Sequence, residues 1–284
     1  MHEIILLGSK GALGSRVASL LDEKNISYRC VTRDPTDLDG LYWDYKGSVP
    51  SKIANATCII HCARGPEFRS NVAAVAALLR DASTEAKIIL IGSNCVFASP
   101  KNTFTRIFFA GDAYVLEKKR IEKLAKTRAN TILIRPTVVR DEGGWKTFLK
   151  SAESADVVKF PRGSENRRIK VIDSVDVARE IIKHVACSSC ELVYDELYSD
   201  VVPLSELFCP AEVMYELSDN TFFEGYLKNA VAIFLCSIFL PFSVKAFIQQ
   251  QFNKPRQQVA SYNGGELRVN GMTRLYLCGG HTEQ

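Results

Sequence analysis

The sequence predicts an α/β fold, a doubly wound parallel sheet with a smaller C-terminal lobe. Three observations carry that reading. Short β-rich runs alternate with helical patterns through the first two-thirds of the chain. Those runs are continuously apolar, as strands covered on both faces are. A glycine-rich turn joins the first run to the first helical pattern. At 284 residues, 46% of them apolar and 24% charged, the chain can form one large domain, or one domain and a lobe.

The elements follow in order. "EIILLG" (3–8) reads as a strand and "LGSRVASLLDEKN" (13–25) as a helix. "SYRCVT" (27–32) and "TCIIHCA" (57–63) are strands, followed by the alanine-rich helix "RSNVAAVAALLRDA" (69–82). "KIILIGS" (87–93) precedes a helix over 113–128, and "NTILIRP" (130–136) ends the series. Strands separated by helices make right-handed βαβ units and hence a parallel sheet. The expected division is a cofactor domain at 1–160 and a substrate lobe at 161–284, with residues 171–194 crossing back to the first domain.

Gly8, Gly11 and Gly14 form G-x-x-G-x-x-G at the first strand–helix turn. Glycines there permit a tight turn and close approach of a pyrophosphate to free N–H groups at a helix N-terminus. Lys10 and Leu13 lie in the same turn, so all five residues are candidate dinucleotide contacts. After the second strand, "CVTRDP" places Arg33 where a positive charge suits a ribose 2′-phosphate, with Asp34 competing one residue later. NADP is therefore the expected cofactor, with NAD as the alternative.

Two Y-x-x-x-K pairs occur, Tyr42/Lys46 and Tyr114/Lys118. The first sits in "LYWDYKGSVP", which Gly47 and Pro50 end before a helix can align positions i and i+4. The second opens a helix, so its side chains share one face. That helix follows the strand carrying Ser93 at its C-terminal end, where ligands bind in such sheets. A lysine ammonium favours the phenolate and brings tyrosine, ordinarily near pKa 10, into range for proton transfer.

With the glycine motif, "IIHCA" before "NV" at Asn71, "IGSNCVF", Tyr114-x-x-x-Lys118, "IRPTVV" and "VIDSVDVARE", residues 1–186 resemble the extended short-chain dehydrogenases/reductases that modify nucleotide sugars. The resemblance implies a Rossmann-like domain and a catalytic set of Ser93, Tyr114 and Lys118. It also implies an adenine contact at Asp44 and a nucleotide-sugar substrate. "LIGSNCVFASPK" is similar to the matching stretch of GDP-fucose synthases, where a cysteine two residues after the serine transfers a proton. Here that position is Cys95, while the partner histidine expected after "RPTVV" is absent from "RPTVVRDEGGW". Sugar 4,6-dehydratases carry an Asp-Glu pair where this chain has Asn94 and Cys95. Ketoreduction, dehydrogenation and 4-epimerisation remain, with surface polysaccharide biosynthesis as the implied setting. "KFPRGSENRRIK" falls where the family contacts its substrate's diphosphate, which Arg162, Arg167 and Arg168 could clamp.

The remaining features set bounds. A net charge of +4, dispersed along the chain, does not indicate a nucleic-acid partner. Of nine cysteines, Cys30, Cys58, Cys62 and Cys95 lie in or beside apolar runs and read as buried thiols in a reducing compartment. Cys187 and Cys190 form a lone C-x-x-C, and the four histidines supply no clustered partner, so no metal is expected. The opening "MHEIILLGSKG" has no signal-peptide pattern, which makes the cytoplasm the expected location. The uncharged run 229–244, within a helical apolar segment at 226–248, is shorter than the about 20 residues a spanning helix needs. It reads as a buried lobe helix, with a shallow contact to the inner membrane face as the alternative. Two further readings stand beside the soluble sugar enzyme: a membrane-surface reductase of a lipid-linked sugar, and a non-catalytic NADP sensor. A homodimer is also open.

Overall fold

The computed structural model describes residues 3–65, 68–97, 113–140, 157–161, 168–187, 196–203, 214–218, 260–263 and 266–269. The chain forms two compact units. The first comprises Met1–Asn94, Glu117–Gly144 and Val171–Ser199. The second comprises Cys95–Leu116, Trp145–Lys170 and Asp200–Gln284.

The first unit is built on β1 (Ile4–Leu7), β2 (Arg29–Thr32), β3 (Leu41–Tyr42), β4 (Cys58–His61), β5 (Lys87–Ile91), β6 (Thr131–Pro136) and β10 (Glu196–Leu197). They pair in parallel in the order β3-β2-β1-β4-β5-β6-β10. The first six strands follow the dinucleotide-binding order, whose direction reverses between β1 and β4. At that reversal Leu7 stands beside His61, and His61 beside Leu90. Helices α1 (Ala12–Glu23), α2 (Ser51–Ala54), α3 (Phe68–Asp81), α4 (Ala113–Ala125) and α5 (Ser174–Ala186) complete the wound layers. β7 (Val138–Arg140) pairs in parallel with β9 (Arg168–Asp173).

Side-chain alternation along the strands divides the core in two. Ile5, Leu7, Ile59, Ile88, Leu90 and Leu133 face Val75 and Leu78 of α3 and Ile121 and Ala125 of α4. Leu6, Ile60, Ile89, Ile132 and Ile134 face Val17 and Leu21 of α1 and Val177, Ala178 and Ile181 of α5. Both faces are covered, which explains the continuous apolar runs. α5 carries Asp176 in its first turn and Lys183 and His184 in its last, a distribution that complements the helix dipole.

In the second unit a four-stranded sheet has the order β12-β8-β14-β13, formed by Met214–Ser218, Val157–Pro161, Glu266–Val269 and Ala260–Asn263. β13 and β14 make an antiparallel pair, and the other pairings are parallel. The 226–248 segment and its 229–244 run lie outside the described residues. Among the described residues no helix is long and apolar enough to cross a membrane.

Candidate active site

The glycine turn is shaped by contacts that exclude side chains. Gly8 has φ +83°, and a Cβ there would lie 2.6 Å from the Ala63 backbone nitrogen. The turn therefore lies directly against the segment leaving β4. A Cβ on Gly14 would lie 2.0 Å from the Gly8 carbonyl oxygen, so the first turn of α1 tolerates only glycine there. Gly11 caps α1 and donates its N–H to Gly8 O at 2.9 Å. Leu13 is half-buried in that first turn and reaches the cavity described below.

Around the end of β2 the charges are partly answered. Arg33 is exposed. Lys10 pairs with Asp37 at 3.2 Å, and its hydrogen bond holds the Asp37 carboxyl below the usual range. Sequence reading had not identified Asp37. Asp34 accepts hydrogen bonds from the Thr36 N–H (2.9 Å) and hydroxyl (2.7 Å), which lower its pKa. Asp44 is exposed and accepts the Lys46 N–H at 2.9 Å, so its carboxylate shapes the turn after β3.

The two tyrosine–lysine pairs separate by burial. Tyr42 is 50% exposed and Lys46 is exposed. Lys118 is 8% exposed, and its Nζ donates to the Ile91 carbonyl at 2.8 Å, two residues before Ser93. Tyr114, one turn earlier on α4, is half-buried, as is Ser93. Cys95 belongs to a 3-10 turn at Asn94–Phe97, and its side chain lies outside the description. Arg168 is exposed at the start of β9, while Arg162 and Arg167 lie outside the described residues.

Next to Lys118 the structure gathers residues to which the sequence reading gave no role. A cavity of about 130 Å³ is lined by, among others, His61, Arg64, Asn71, Glu117 and Lys118. Glu117, 1% exposed, accepts from Arg64 Nε at 3.0 Å and from Asn71 Nδ2 at 2.9 Å. Asn71 also clamps Gly65, accepting its N–H at 2.7 Å and donating to its carbonyl at 3.0 Å. Burial, with a smaller push from Lys118, lowers the His61 imidazole to about 4. Burial also raises the Cys62 thiol to about 12, against the pull of Lys118. A sequence signal for this cluster exists. Ile121 and Ala125 mark the core face of α4, and at helical spacing that face passes through Glu117, Lys118 and Glu122.

Among the described residues, Cys58 is buried and Cys187 exposed. Cys30 and Cys62 are only half-buried, Cys30 in the N-terminal half of β2, where burial begins only at Val31, and Cys62 one residue past the end of β4. Cys190 lies outside the described residues, and no metal-binding cluster occurs among those described.

Neither a protein-family model nor a curated protein matches the sequence. Solved structures do. A dTDP-4-dehydrorhamnose reductase from Clostridium acetobutylicum superposes with a TM-score of 0.55 at 17% identity, over 76% of this chain and 83% of that one. A UDP-N-acetylglucosamine 4-epimerase from Bacillus cereus gives 0.57 at 14% identity, over 77% and 86%. A short-chain dehydrogenase/reductase superfamily protein from Agrobacterium tumefaciens with bound NAD gives 0.56 at 14% identity, over 90% and 100%. With its 3-2-1-4-5-6 strand order and its glycine turn against β4, the chain has the Rossmann-like fold of the short-chain dehydrogenases/reductases.

Proposed function

We propose that the protein is an NAD(P)-dependent oxidoreductase or epimerase that works at a carbinol carbon of a nucleotide-activated sugar. The observation that carries this reading is the burial of Lys118. Desolvating an ammonium is costly, and a lysine with no task beyond solubility stays in water. Here it is pinned to the last residue of β5, on the side of the sheet where ligands bind. The reductase and the epimerase that share the fold support the substrate class.

The residues present fit a dinucleotide, since the glycine turn leaves no room for side chains between the β1 end, α1 and β4. Gly8, Leu13 and Gly14 hold the pyrophosphate by backbone N–H groups, while Gly11 closes the turn onto the Gly8 carbonyl; Asp44 serves the adenine end and Lys118 the nicotinamide ribose. A bound nicotinamide supplies the carbon that accepts or donates hydride. Tyr114 moves the proton at the carbinol oxygen, as phenol in reduction and phenolate in oxidation. The Lys118 charge favours the phenolate, and the Ser93 hydroxyl orients the substrate oxygen. Arg162, Arg167 and Arg168 take the diphosphate of the sugar nucleotide.

The test is turnover of the purified protein with NAD(H) and NADP(H) against UDP-, GDP- and dTDP-sugars. Tyr114→Phe is expected to lower turnover by about 10² to 10⁴ while cofactor affinity stays close to unchanged. Lys118→Met is expected to damage both, and Tyr42→Phe to leave the rate intact. A Tyr114→Phe protein that turns over like the parent removes the proton-transfer role.

A further inference from the structure

We propose that Glu117 is a positioning residue for the dinucleotide, holding through Arg64 and Asn71 the segment of residues 63–65 that faces the glycine turn. The proposal rests on the reading of that turn as a cofactor site, and it gives a task to a carboxylate that no step of the proposed chemistry uses.

Glu117 is 1% exposed, although a carboxylate with no task beyond solubility stays in water. Both of its oxygens are engaged. Oε1 accepts from Arg64 Nε at 3.0 Å, and Oε2 accepts from Arg64 Nη2 at 3.4 Å and from Asn71 Nδ2 at 2.9 Å. Asn71, itself 9% exposed, divides its amide donors between Glu117 and the Gly65 carbonyl, the latter at 3.0 Å. Its Oδ1 accepts the Gly65 N–H at 2.7 Å. A carboxylate only accepts, so Glu117 fixes which end of the Asn71 amide is the donor and presents Oδ1 to Gly65. The approach is close: a Cβ on Gly65 would lie 3.3 Å from that oxygen.

The pinned segment is the one a dinucleotide meets as it leaves the glycine turn. β4 ends at His61, and its ladder to β1 continues to the Cys62 N–H, which donates to Leu7 O at 2.9 Å. Residue 63 then lies against Gly8, where an added Cβ would be 2.6 Å from the Ala63 nitrogen. Residues 64 and 65 are tied to α3 and to the turn of α4 that also carries Lys118. A ligand at the reversal of strand order lies over the C-terminal ends of β1 and β4. A segment fixed before binding spares the ordering that a loose one would require on binding. The two halves of the ligand differ in this respect. The adenosine half lies toward β2, where the ribose is read, and the other half lies toward β4 and the pinned segment.

Glu117→Ala and Asn71→Ala, singly and together, test this. Arg64 is half-exposed, so removing Glu117 leaves its guanidinium a way to water. Each single variant should speed amide exchange at Gly65, read by NMR in the unliganded protein. Each should also weaken NAD(H) and NADP(H) binding by about tenfold, the equivalent of ordering roughly one residue on binding. AMP affinity should stay at the parental value, which general damage to the fold would not allow. The double variant should lose no more than either single, because both act through one chain of bonds. Unmoved Gly65 exchange, an equal loss for AMP, or losses that multiply in the double variant overturn the proposal. If Glu117→Ala does not fold, Glu117→Gln keeps an oxygen for Asn71 but sets an N–H against Arg64. It should show a smaller loss of the same kind, and parental affinity in it overturns the proposal. A parent protein that binds no dinucleotide sinks the reading of the cofactor site instead. A parent that binds, with variants that bind equally well, sinks only the positioning role of Glu117.

Discussion

Arg33 and Lys10 look alike in the sequence, two cations flanking one expected ribose site, yet the structure treats them differently. Lys10 shares its charge with Asp37 at 3.2 Å, whereas no ion pair to Arg33 occurs among the described residues. If a ribose 2′-phosphate is read here, Arg33 therefore supplies most of the attraction. Arg33→Ala should weaken NADP(H) binding by about 1–3 kcal/mol, the range for a lost charged hydrogen bond, and leave NAD(H) nearly untouched. Asp37→Asn frees Lys10 and should shift preference the other way, toward NADP(H). Calorimetric titration of the three proteins with both cofactors decides this, and equal losses for NAD(H) and NADP(H) in Arg33→Ala remove Arg33 from the site.

α4 joins the catalytic proposal to the core. It carries Lys118 on a face that also contains Glu122, whose carboxylate accepts two 2.7 Å bonds from Arg135 of β6. Both partners are nearly buried, at 8% and 5% exposure. Removing one charge of such a pair strands the other, so Glu122→Gln should cost about 3–5 kcal/mol of stability. The double change Glu122→Leu with Arg135→Met leaves no stranded charge and should recover most of that loss. Denaturant midpoints of the single and double variants measure it; equal losses would mean that packing, not charge, sets the cost. The elements themselves were largely legible, because β1, β4, β5 and β6 are continuous apolar runs between helices with a clear periodicity. The two-residue strands β3 and β10 were not, since a pair of residues has no period to read. In the candidate site, the glycine turn is marked by its spacing, and Tyr114/Lys118 by its place in a helix after the Ser93 strand, since Tyr42/Lys46 has the same spacing. His61 is not marked in this way, because its place beside the site comes from β4 and α4 meeting across sequence distance, whereas Glu117 is marked by lying on the core face of α4.

At the scale of the molecule, the buried neutral groups at and near β4 give stability a dependence on pH at both ends. His61 is lowered to about 4, from an ordinary 6.5. As pH falls from about 6.5 toward 4, the unfolded chain takes up a proton that the folded chain refuses, so stability falls. Over that window the loss assigned to His61 is about 3 kcal/mol. Cys62 and Tyr45 act at the other end. Burial raises each to about 12, so above about pH 9 the unfolded chain releases protons that the folded chain retains, and stability falls again as pH rises. Stability should therefore form a plateau between about pH 6.5 and 9 and decline on both sides. His61→Gln removes only the imidazole's titration. Its denaturation midpoint should fall less steeply than the parent's between pH 6.5 and 4, while the alkaline limb is shared. Parallel acid limbs in the two proteins would show that the imidazole is protonated within the fold, and the His61 environment described here would be wrong.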